Sequence, residues 1–290
     1  MSDPYMMTPD PFESWLFGEK IYKPNERQKN KYFVVSLSGG KDSTALLLKL
    51  LDHDVAIDEV IWADTGKEFP EMYDHIRQLR EVVERRNIKF TILEPEKSFD
   101  YLLGHHVKTK GKNKGEIGYS WPDHMNRWCT SDLKQQTIKR YYKKLKKEYQ
   151  TVEFIGYAAD ELDRTEKNQD NRLKEFPLVN WDMTEEEALQ YCYSKGYDWG
   201  GLYEVFHRSS CYLCPLSQLG ELKYVFENYP SLWLDMRRLD DMSKREFRPD
   251  YSLAELEHKF IREFYEELFE DNVSYGNKAM KQDSLFSFAS

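Results

Sequence analysis

The chain has 290 residues, of which 40% are hydrophobic and 32% charged, and its formal net charge is −9. A chain of this length and apolar content can bury a substantial core, so a wholly disordered protein is excluded. No run approaches the roughly 18 consecutive apolar residues of a membrane span, and the first residues lack the basic and then apolar pattern of a secretory signal. Four cysteines are too few for a disulfide scaffold. We therefore expect a soluble, globular, cytoplasmic protein.

The charge is distributed unevenly along the chain. Residues 104–147 contain twelve Lys or Arg and three Asp or Glu, a local net charge of +9, so the remaining residues sum to −18. A basic zone in an otherwise acidic protein can contact a polyanion, and residues 104–147 are a candidate contact for a nucleic-acid partner. The alternative is a solvated helix face followed by an exposed loop. Charge alone does not decide between the two.

Short apolar runs alternate with helical patterns in the first third of the chain. The β-branched run 32–37 predicts a buried strand, and strands follow at 59–63 and 89–93. Helices are predicted between them at 44–51 and 71–86. This alternation is typical of an α/β fold of the Rossmann type, with a mostly parallel five-stranded sheet and helices on both faces.

Beyond the third strand the pattern is less regular. It predicts a long loop over 104–127, a basic helix over 132–148, a fourth strand over 152–156 and a short fifth strand over 176–179. Thr184 begins a further helix, because a Thr at the N-cap and a Glu three residues later form a capping box. After Cys211 the chain is predicted to be mainly helical up to about residue 272.

We divide the chain into four segments on this basis. They are an N-terminal arm (1–30), an α/β domain (31–182), a cysteine-bearing helical C-terminal part packed on it (183–272) and a tail (273–290). The helical part is also a candidate surface for a homodimer.

Residues 38–43, with the sequence Ser-Gly-Gly-Lys-Asp-Ser, lie between the first strand and the first helix. Open α/β sheets bind ligands at this position. Two glycines let the backbone approach an anion, and the N–H groups and dipole of the helix start hold it there. The loop is not of the Walker type, because Lys41 is followed by Asp42, and it lacks the third glycine of the dinucleotide fingerprint.

Three segments together resemble the PP-loop ATP pyrophosphatases. Residues 38–43 match their SGGxDS signature, and residues 63–73 resemble the DTG-x-x-FPET segment of the branch that contains the phosphoadenylyl-sulfate (PAPS) reductases. Residues 156–164 resemble the G-x-R-x-DES-x-R stretch of that branch, although Tyr157 stands where the family has an arginine. The resemblance runs from about residue 32 to 222, and the pattern is closest to sulfur-transfer members such as those of DNA phosphorothioation or tRNA thiolation.

The resemblance implies that an adenine nucleotide, ATP with Mg²⁺, binds across the first two strands. Asp42 would handle magnesium or pyrophosphate, and Lys41 would meet phosphate charge. Arg127 and Arg164 would neutralise phosphate, since guanidinium groups bind phosphate oxygens in a bidentate way. The implied catalytic residues are Lys41, Asp42 and Arg164. The implied nucleotide-binding residues are Ser36, Ser38, Gly39, Gly40, Lys41, Asp42, Ser43, Asp64, Thr65, Gly66, Arg127 and Gly156.

The cysteines form a second candidate site. The C-x-x-C spacing of Cys211 and Cys214 places both sulfurs on one side of a tight turn, which suits zinc, an iron–sulfur cluster or a redox pair. Relatives that thiolate nucleic acids bind a four-iron cluster through an R-W-C-T-like stretch and a C-x-x-C. The resemblance therefore implies a [4Fe–4S] cluster, or alternatively zinc, on Cys129, Cys211 and Cys214. The candidates for a fourth ligand are Cys192, His207 and His124, or none; Cys192 also suits a small buried residue inside a helix.

The leading functional hypothesis is an enzyme that cleaves ATP between the α- and β-phosphates, adenylates an acceptor and assists sulfur transfer to it. The acceptor would be a nucleic acid, and a cysteine desulfurase would supply the sulfur. A first alternative is a thiol-dependent reductase of PAPS or adenylyl sulfate, although no cysteine follows Cys214 to serve as the C-terminal nucleophile. A second alternative is a non-catalytic, nucleotide-binding regulatory protein with structural zinc.

Overall fold

The computed structural model describes residues 30–161, 163–164, 173–208, 211–266 and 268. Residues 1–29 of the predicted arm and the predicted tail 273–290 lie outside this described part. The chain divides into two compact units, each built from two segments. One contains the residues up to Phe99 and Arg127–Tyr212, and the other contains Asp100–Asn126 and the residues from Leu213 onward. The domain boundaries at 31–182 and 183–272 stay a prediction.

The first unit contains a sheet of five parallel strands in the order β3-β2-β1-β4-β5. This confirms the predicted α/β fold class. Because the chain moves outward from β1 to β3 and then returns to the other side of β1, the strand order reverses between β1 and β4. A crevice forms at the carboxyl ends of strands at such a reversal. The strands are β1 (Lys31–Leu37), β2 (Glu59–Ala63), β3 (Lys89–Leu93), β4 (Gln150–Ile155) and β5 (Lys174–Glu175).

Helices connect the strands and continue to the end of the described chain. They are α1 (Lys41–Asp52), α2 (Pro70–Arg85), α3 (Phe99–Gly104), α4 (Gln136–Leu145), α5 (Pro177–Asn180), α6 (Glu185–Ser194), α7 (Leu202–Val205), α8 (Leu219–Asn228), α9 (Pro230–Asp240) and α10 (253–266), with a π-helix at Cys129–Gln135 and 3-10 turns at Ala159–Glu161 and Trp199–Gly201. Helix α6 packs on α1. No helix of the described residues is both long and apolar enough to cross a membrane.

The basic helix α4 uses an apolar stripe to pack on the sheet. Tyr141 and Leu145 contact a buried cluster that contains Val34, Ile61 and Leu93. Packing therefore occupies the apolar stripe of α4, and its lysines stay exposed.

The structure corrects two predicted elements. The fifth strand predicted over 176–179 is wrong, because Pro177 begins α5 and the strand that pairs with β4 is Lys174–Glu175. Proline at the first helical position has the φ angle that a helix requires and loses no hydrogen bond there. The basic helix begins at Cys129, earlier than the predicted residue 132, and its first part is the π-helix.

The predicted capping box of α6 is confirmed. The hydroxyl of Thr184 accepts a hydrogen bond from the N–H of Glu187 at 3.3 Å, and Glu187 Oε2 accepts one from the N–H of Thr184 at 2.9 Å. This cap fixes where α6 starts, and so it fixes the position of Glu185, the first residue of the helix.

The second unit contains the predicted loop and the last helices. The loop is joined by an antiparallel bridge between Val107 and Ile117 and by an ion pair between Lys108 and Glu116 at 2.9 Å. Trp121 is fully buried, and its Nε1 donates to Asp240 in α9 at 2.6 Å. The hydrogen bond from this buried indole to Asp240 holds the loop against the helices of the same unit.

Candidate functional site

The loop between β1 and α1 is shaped by its glycines. Gly39 has a φ of +88°, in the region that favours glycine, and a Cβ there would lie 2.6 Å from Met72 Sδ. The carbonyl of Gly39 accepts a hydrogen bond from the buried indole of Trp199 at 2.7 Å. Gly40 is the extended N-cap residue of α1. The start of α1, with its N–H groups and positive dipole end, therefore lies at the carboxyl end of β1.

Two serine hydroxyls close the same loop. The Oγ atoms of Ser38 and Ser43 lie 2.8 Å apart, and Ser43 Oγ also accepts from the N–H of Ser38 at 3.1 Å. Ser43 Oγ in turn lies 3.1 Å from the carbonyl of Gly40. Two predicted anion-binding hydroxyls are thus placed side by side at the start of α1.

Lys41 is held by residues that are distant in the sequence. Its ammonium group forms an ion pair with Glu185 and lies 3.8 Å from Asp42, and its backbone N–H donates to the hydroxyl of Tyr203 at 2.8 Å. Burial lowers the pKa of Lys41, but the hydrogen bond that its ammonium donates to Glu185 and the nearby negative charges outweigh this effect, so the pKa is raised. The N–H of Glu185 donates to Asp160, which fixes the position of the pair.

Asp42 carries an unsatisfied carboxylate oxygen. Its Oδ1 is buried and has no hydrogen-bond partner among the described residues. Burial raises the pKa of Asp42 to about 6; Lys41 lowers it, while Glu185 and Glu161 raise it further. A buried carboxylate oxygen without a donor, beside an anion-binding loop, suits a hard cation such as Mg²⁺.

The end of β4 approaches the loop closely. A Cβ on Gly156 would lie 2.8 Å from Ser43 Cα and 2.9 Å from the carbonyl of Asp42, so this approach requires glycine. The contact brings the two ends of β1 and β4 together at the point where the strand order reverses.

Arg164 lies beside Tyr157, the residue that stands where the resembled family has an arginine. The guanidinium lies 4.6 Å from the ring centroid of Tyr157 and forms an ion pair with Glu161. Burial opposes the charge of Arg164, but the hydrogen bond to Glu161 and the charges of Glu161, Tyr157 and Asp42 raise its pKa. Tyr157 therefore holds the positive charge of Arg164 close to the loop.

The turn after β2 is stabilised by its own side chains. Asp64 Oδ1 accepts from the N–H of Gly66 at 2.8 Å and from the hydroxyl of Tyr73 at 3.0 Å. Thr65 is buried, and its hydroxyl donates to Glu68 at 3.0 Å. These bonds fix the turn at the carboxyl end of the strand next to β1.

Two other predicted residues have different surroundings. The hydroxyl of Ser36 donates to Glu153 at 2.6 Å and lies 3.2 Å from the hydroxyl of Tyr142, on the α4 side of the sheet. Arg127 is exposed, and its carbonyl accepts from the N–H of Thr130 at 3.0 Å. Neither contact involves the loop at residues 38–43.

The cysteines of the first unit lie near a lysine that the sequence did not single out. Cys129 begins the π-helix, a rare conformation that is frequent at functional sites. Lys134 lies in the same π-helix, 3.1 Å from Glu68. Burial lowers the pKa of Lys134, but the charges of Glu68, Cys211 and Cys129 raise it. Two of the three predicted ligand cysteines thus act on one ammonium group.

Among the described residues, no group of three or more His, Cys, Asp or Glu side chains is placed so that it could hold a metal ion. A metal or cluster site on Cys129, Cys211 and Cys214 therefore stays a prediction from the sequence. Cys192 is fully buried in α6, its thiol lies 3.5 Å from the carbonyl of Lys41, and burial raises its pKa to about 12. This placement favours the buried thiol over a fourth ligand. His207 and His124 are exposed.

Glu185, Tyr203, Lys134 and Glu68 are residues of this site to which sequence reasoning gave no role in binding. Glu185 follows the capping Thr of α6, where acidic residues are favoured by the helix dipole alone, so its type and position gave no sign of a second role. Tyr203 is 162 residues away from Lys41 in the chain. No local pattern connects any of these residues with the loop.

A comparison with known protein families identifies the family to which the chain belongs. The model of the phosphoadenosine phosphosulfate reductase domain matches residues 32–217. The chain belongs to this family. The matched residues of the phosphoadenosine phosphosulfate reductase domain include the loop, the turn after β2, the end of β4 and all four cysteines.

Two uncharacterized proteins of Methanocaldococcus jannaschii are similar to this chain. MJ0973 is 30% identical over 234 residues, which are 74% of this chain and 50% of that protein. MJ0066 is 25% identical over 236 residues, which are 74% of this chain and 41% of that protein. The chain thus spans about half the length of these curated relatives or less. Among solved structures, the U34-tRNA thiolase NcsA from Methanococcus maripaludis, with its [4Fe-4S] cluster, matches with a TM-score of 0.42 and 16% identity over 80% of this chain and 77% of that one.

Proposed function

We propose that this protein binds ATP with Mg²⁺ on the loop at residues 38–43, cleaves it between the α- and β-phosphates and adenylates an acceptor for sulfur transfer. The observation that supports this proposal is Asp42. Its buried Oδ1 has no donor within the described chain and lies beside the N-terminus of α1. An anion-binding helix start and a cation-seeking carboxylate at one position are what a magnesium–pyrophosphate group requires.

Each residue of the loop then has a role that follows from its contacts. The N–H groups at the start of α1 and the ammonium of Lys41 would bind the β- and γ-phosphates. Asp42 would hold Mg²⁺, which supplies charge neutralisation for the departing pyrophosphate. Arg164, kept near the loop by Tyr157, would add positive charge where the α-phosphate lies. Glu185 must release Lys41 before the lysine can serve a phosphate.

The reaction itself is a displacement at the α-phosphorus. The acceptor's nucleophile forms a bond to that phosphorus, and the bond to the bridging oxygen breaks, with its electron pair leaving on pyrophosphate. A cysteine desulfurase would supply the sulfur as the outer atom of a cysteine persulfide on this chain. That sulfur would attack the activated acceptor and AMP would leave, and a second cysteine thiol would then break the S–S bond to free the thiolated acceptor. The resulting disulfide between the two cysteines would be reduced by an external thiol. Cys129 and Cys211 are the candidate residues to receive the sulfur, because both lie near Lys134.

The test compares pyrophosphate release by the wild type with that of two carboxylate variants, in the presence of ATP, Mg²⁺ and total RNA or DNA as acceptor. Asp42→Ala should abolish release and leave the fold intact. Asp74→Ala, which removes an exposed carboxylate paired with Arg77, should release pyrophosphate at the wild-type rate. Undiminished release by Asp42→Ala would remove Asp42 from the mechanism.

A second candidate is favoured by the family itself, whose description is that of a PAPS reductase domain. In that reaction Cys211 and Cys214 would supply the reducing equivalents. Formation of sulfite from PAPS with thioredoxin would establish this activity.

Nucleotide binding without turnover, together with one zinc per chain, would instead support a regulatory protein.

A further inference from the structure

A groove of about 880 Å³ runs between α4 and β4 in the first unit. Its floor includes Glu153 and Ile155, on one face of β4, and Ser36 at the end of β1. Tyr157 also lines it, directly after Gly156, whose Cα packs against the backbone of Ser43. One end of the groove therefore adjoins the loop at residues 38–43.

The groove is strongly basic. Its lining includes the five lysines Lys139, Lys143, Lys146, Lys147 and Lys174. The acidic residue there, Glu153, already accepts a hydrogen bond from Ser36. Within the described chain, the four groove lysines Lys139, Lys143, Lys146 and Lys147 make no ion pair with a carboxylate. The positive charge of these four lysines is therefore not balanced by an ion pair among the described residues.

This charge is not required by the fold. Helix α4 packs on the sheet through Tyr141 and Leu145, and its lysines stay exposed. Lys139, Lys143 and Lys147 are spaced four residues apart, so their like charges repel along the helix and its C-terminal turn. On the opposite flank of α4, Arg140 forms an ion pair with Glu96 at 2.8 Å. Arg140 is thus paired with a carboxylate, whereas the groove lysines of α4 are not.

We propose that this groove binds the phosphodiester backbone of a single-stranded nucleic acid and leads it to the nucleotide loop. The inference rests on the proposed function, because it identifies the acceptor of the adenylyl group. Lysines four residues apart are separated by about 6 Å along a helix axis, so they can follow a row of phosphates. A positively charged groove that follows the backbone is the usual arrangement in proteins that bind single strands without sequence preference.

The proposal separates the two parts of the basic zone at residues 104–147. The lysines of α4 and its C-terminal turn bind the strand, and those of the loop at 108–114 do not. Three loop lysines, Lys110, Lys112 and Lys114, are exposed and form a matched control, because their substitution removes the same charge from the other unit.

The test measures fluorescence anisotropy of a labelled 20-nucleotide single strand, as RNA and as DNA, with the full chain and without ATP. The triple variant Lys139→Gln, Lys143→Gln, Lys147→Gln should bind at least about tenfold more weakly. The slope of log affinity against log salt should fall by roughly 2, since each phosphate contact contributes about 0.7. The variant Lys110→Gln, Lys112→Gln, Lys114→Gln should keep the wild-type affinity and slope. The variant Lys139→Arg, Lys143→Arg, Lys147→Arg should also keep the wild-type affinity and slope.

Three outcomes would overturn the inference. The first is an equal loss of strand affinity in both glutamine variants, and the second is unchanged strand affinity in the groove variant. The third is displacement of the strand by polyglutamate at equal charge concentration, which would indicate an acidic polypeptide as the occupant. ATP binding by the wild type is measured separately. Groove-dependent strand binding without ATP binding would leave this inference standing and contradict the proposed function, whereas ATP binding without groove-dependent strand binding would do the reverse.

Discussion

The ammonium group of Lys41 forms an ion pair with the carboxylate of Glu185, a residue 144 positions further along the chain. The lysine of the anion-binding loop is therefore already neutralised by the protein. A phosphate group that uses Lys41 must compete with Glu185 for it, and this competition makes the pair a determinant of nucleotide affinity.

Substituting Glu185 tests this competition. Glu185→Gln removes the negative charge and should raise the affinity for inorganic pyrophosphate by about tenfold, which corresponds to about 1.4 kcal/mol. Isothermal titration calorimetry measures it. Glu186→Gln is the matched control, because Glu186 is the exposed neighbour in the same helical turn. The pyrophosphate affinity of this variant should equal that of the wild type. A weaker affinity in Glu185→Gln would show that Glu185 assists binding.

Asp42 should lower the stability of the protein at neutral pH. Its pKa rises from 3.8 to about 6 because burial disfavours the charged form, so the folded protein is penalised above pH 6 and relieved of the penalty as pH falls toward 3.8. Asp42→Asn should therefore increase the free energy of unfolding at pH 8 by up to about 3 kcal/mol while abolishing pyrophosphate release. Urea unfolding at pH 8 and at pH 4 checks this. The gain should disappear at pH 4, and a destabilised variant at pH 8 would contradict it.

His75 should contribute to acid sensitivity. It is buried against Trp199, its ring nitrogen lies 3.0 Å from the hydroxyl of Thr44, and burial lowers its pKa from 6.5 to about 3. Because the unfolded chain takes up this proton first, stability is present above pH 6.5 and is lost as pH falls from there toward 3. At pH 5 the loss should be about 2 kcal/mol. The difference in unfolding free energy between pH 7 and pH 5 should shrink by that amount in His75→Gln, and an equal difference in both proteins would exclude the effect.

Gly156 should be required for the loop. An added methyl group would lie 2.8 Å from Ser43 Cα and 2.9 Å from the carbonyl of Asp42, and backbone atoms cannot move aside as a side chain can. Gly156→Ala should weaken ATP binding by at least about tenfold and cost roughly 1–3 kcal/mol of stability. Gly220→Ala is the control, because a Cβ there meets nothing within 4 Å. Wild-type ATP affinity in Gly156→Ala would show that the loop can shift without loss.

The cysteine site is tested by composition rather than activity. Anaerobic purification followed by iron, acid-labile sulfide and zinc analysis should give about four iron and four sulfide per chain, with absorption near 400 nm as such clusters show. Serine at Cys129, Cys211 or Cys214 should each remove the iron, and Cys192→Ser should retain it. Zinc, or no metal, would make these cysteines a structural site or a redox pair.

The sequence predicted β2 and β3 within their observed limits, 59–63 and 89–93. β2 is buried throughout, whereas β3 is an edge strand with only Leu93 buried, and its apolar and β-branched residues sufficed to identify it. The fifth strand was placed wrongly because β5 has two residues and exists only through its pairing with β4. An apolar run after it, at 176–179, had the composition of a strand, and Pro177 turned it into a helix start.

Only part of the candidate site could be predicted from the sequence. The loop at 38–43 was found from sequence because its function depends on contiguous residues at a strand-to-helix junction. The partners of Lys41, Glu185 and Tyr203, were not found, because only the packing of α6 and α7 beside the loop brings them there. The proximity of Lys134 to Cys129 and Cys211 depends on a π-helix, for which the sequence has no periodic signal.

The most direct test of the central claim is to identify which bond of ATP is broken. The protein is incubated with ATP labelled at the γ-phosphate, Mg²⁺ and a mixed pool of RNA and DNA, and the labelled products are separated. The account predicts that the label appears in pyrophosphate, with unlabelled AMP or adenylylated acceptor formed beside it, and that Asp42→Ala forms no labelled pyrophosphate. Label in orthophosphate together with ADP would contradict it, because the β–γ bond would then be the one that the loop activates.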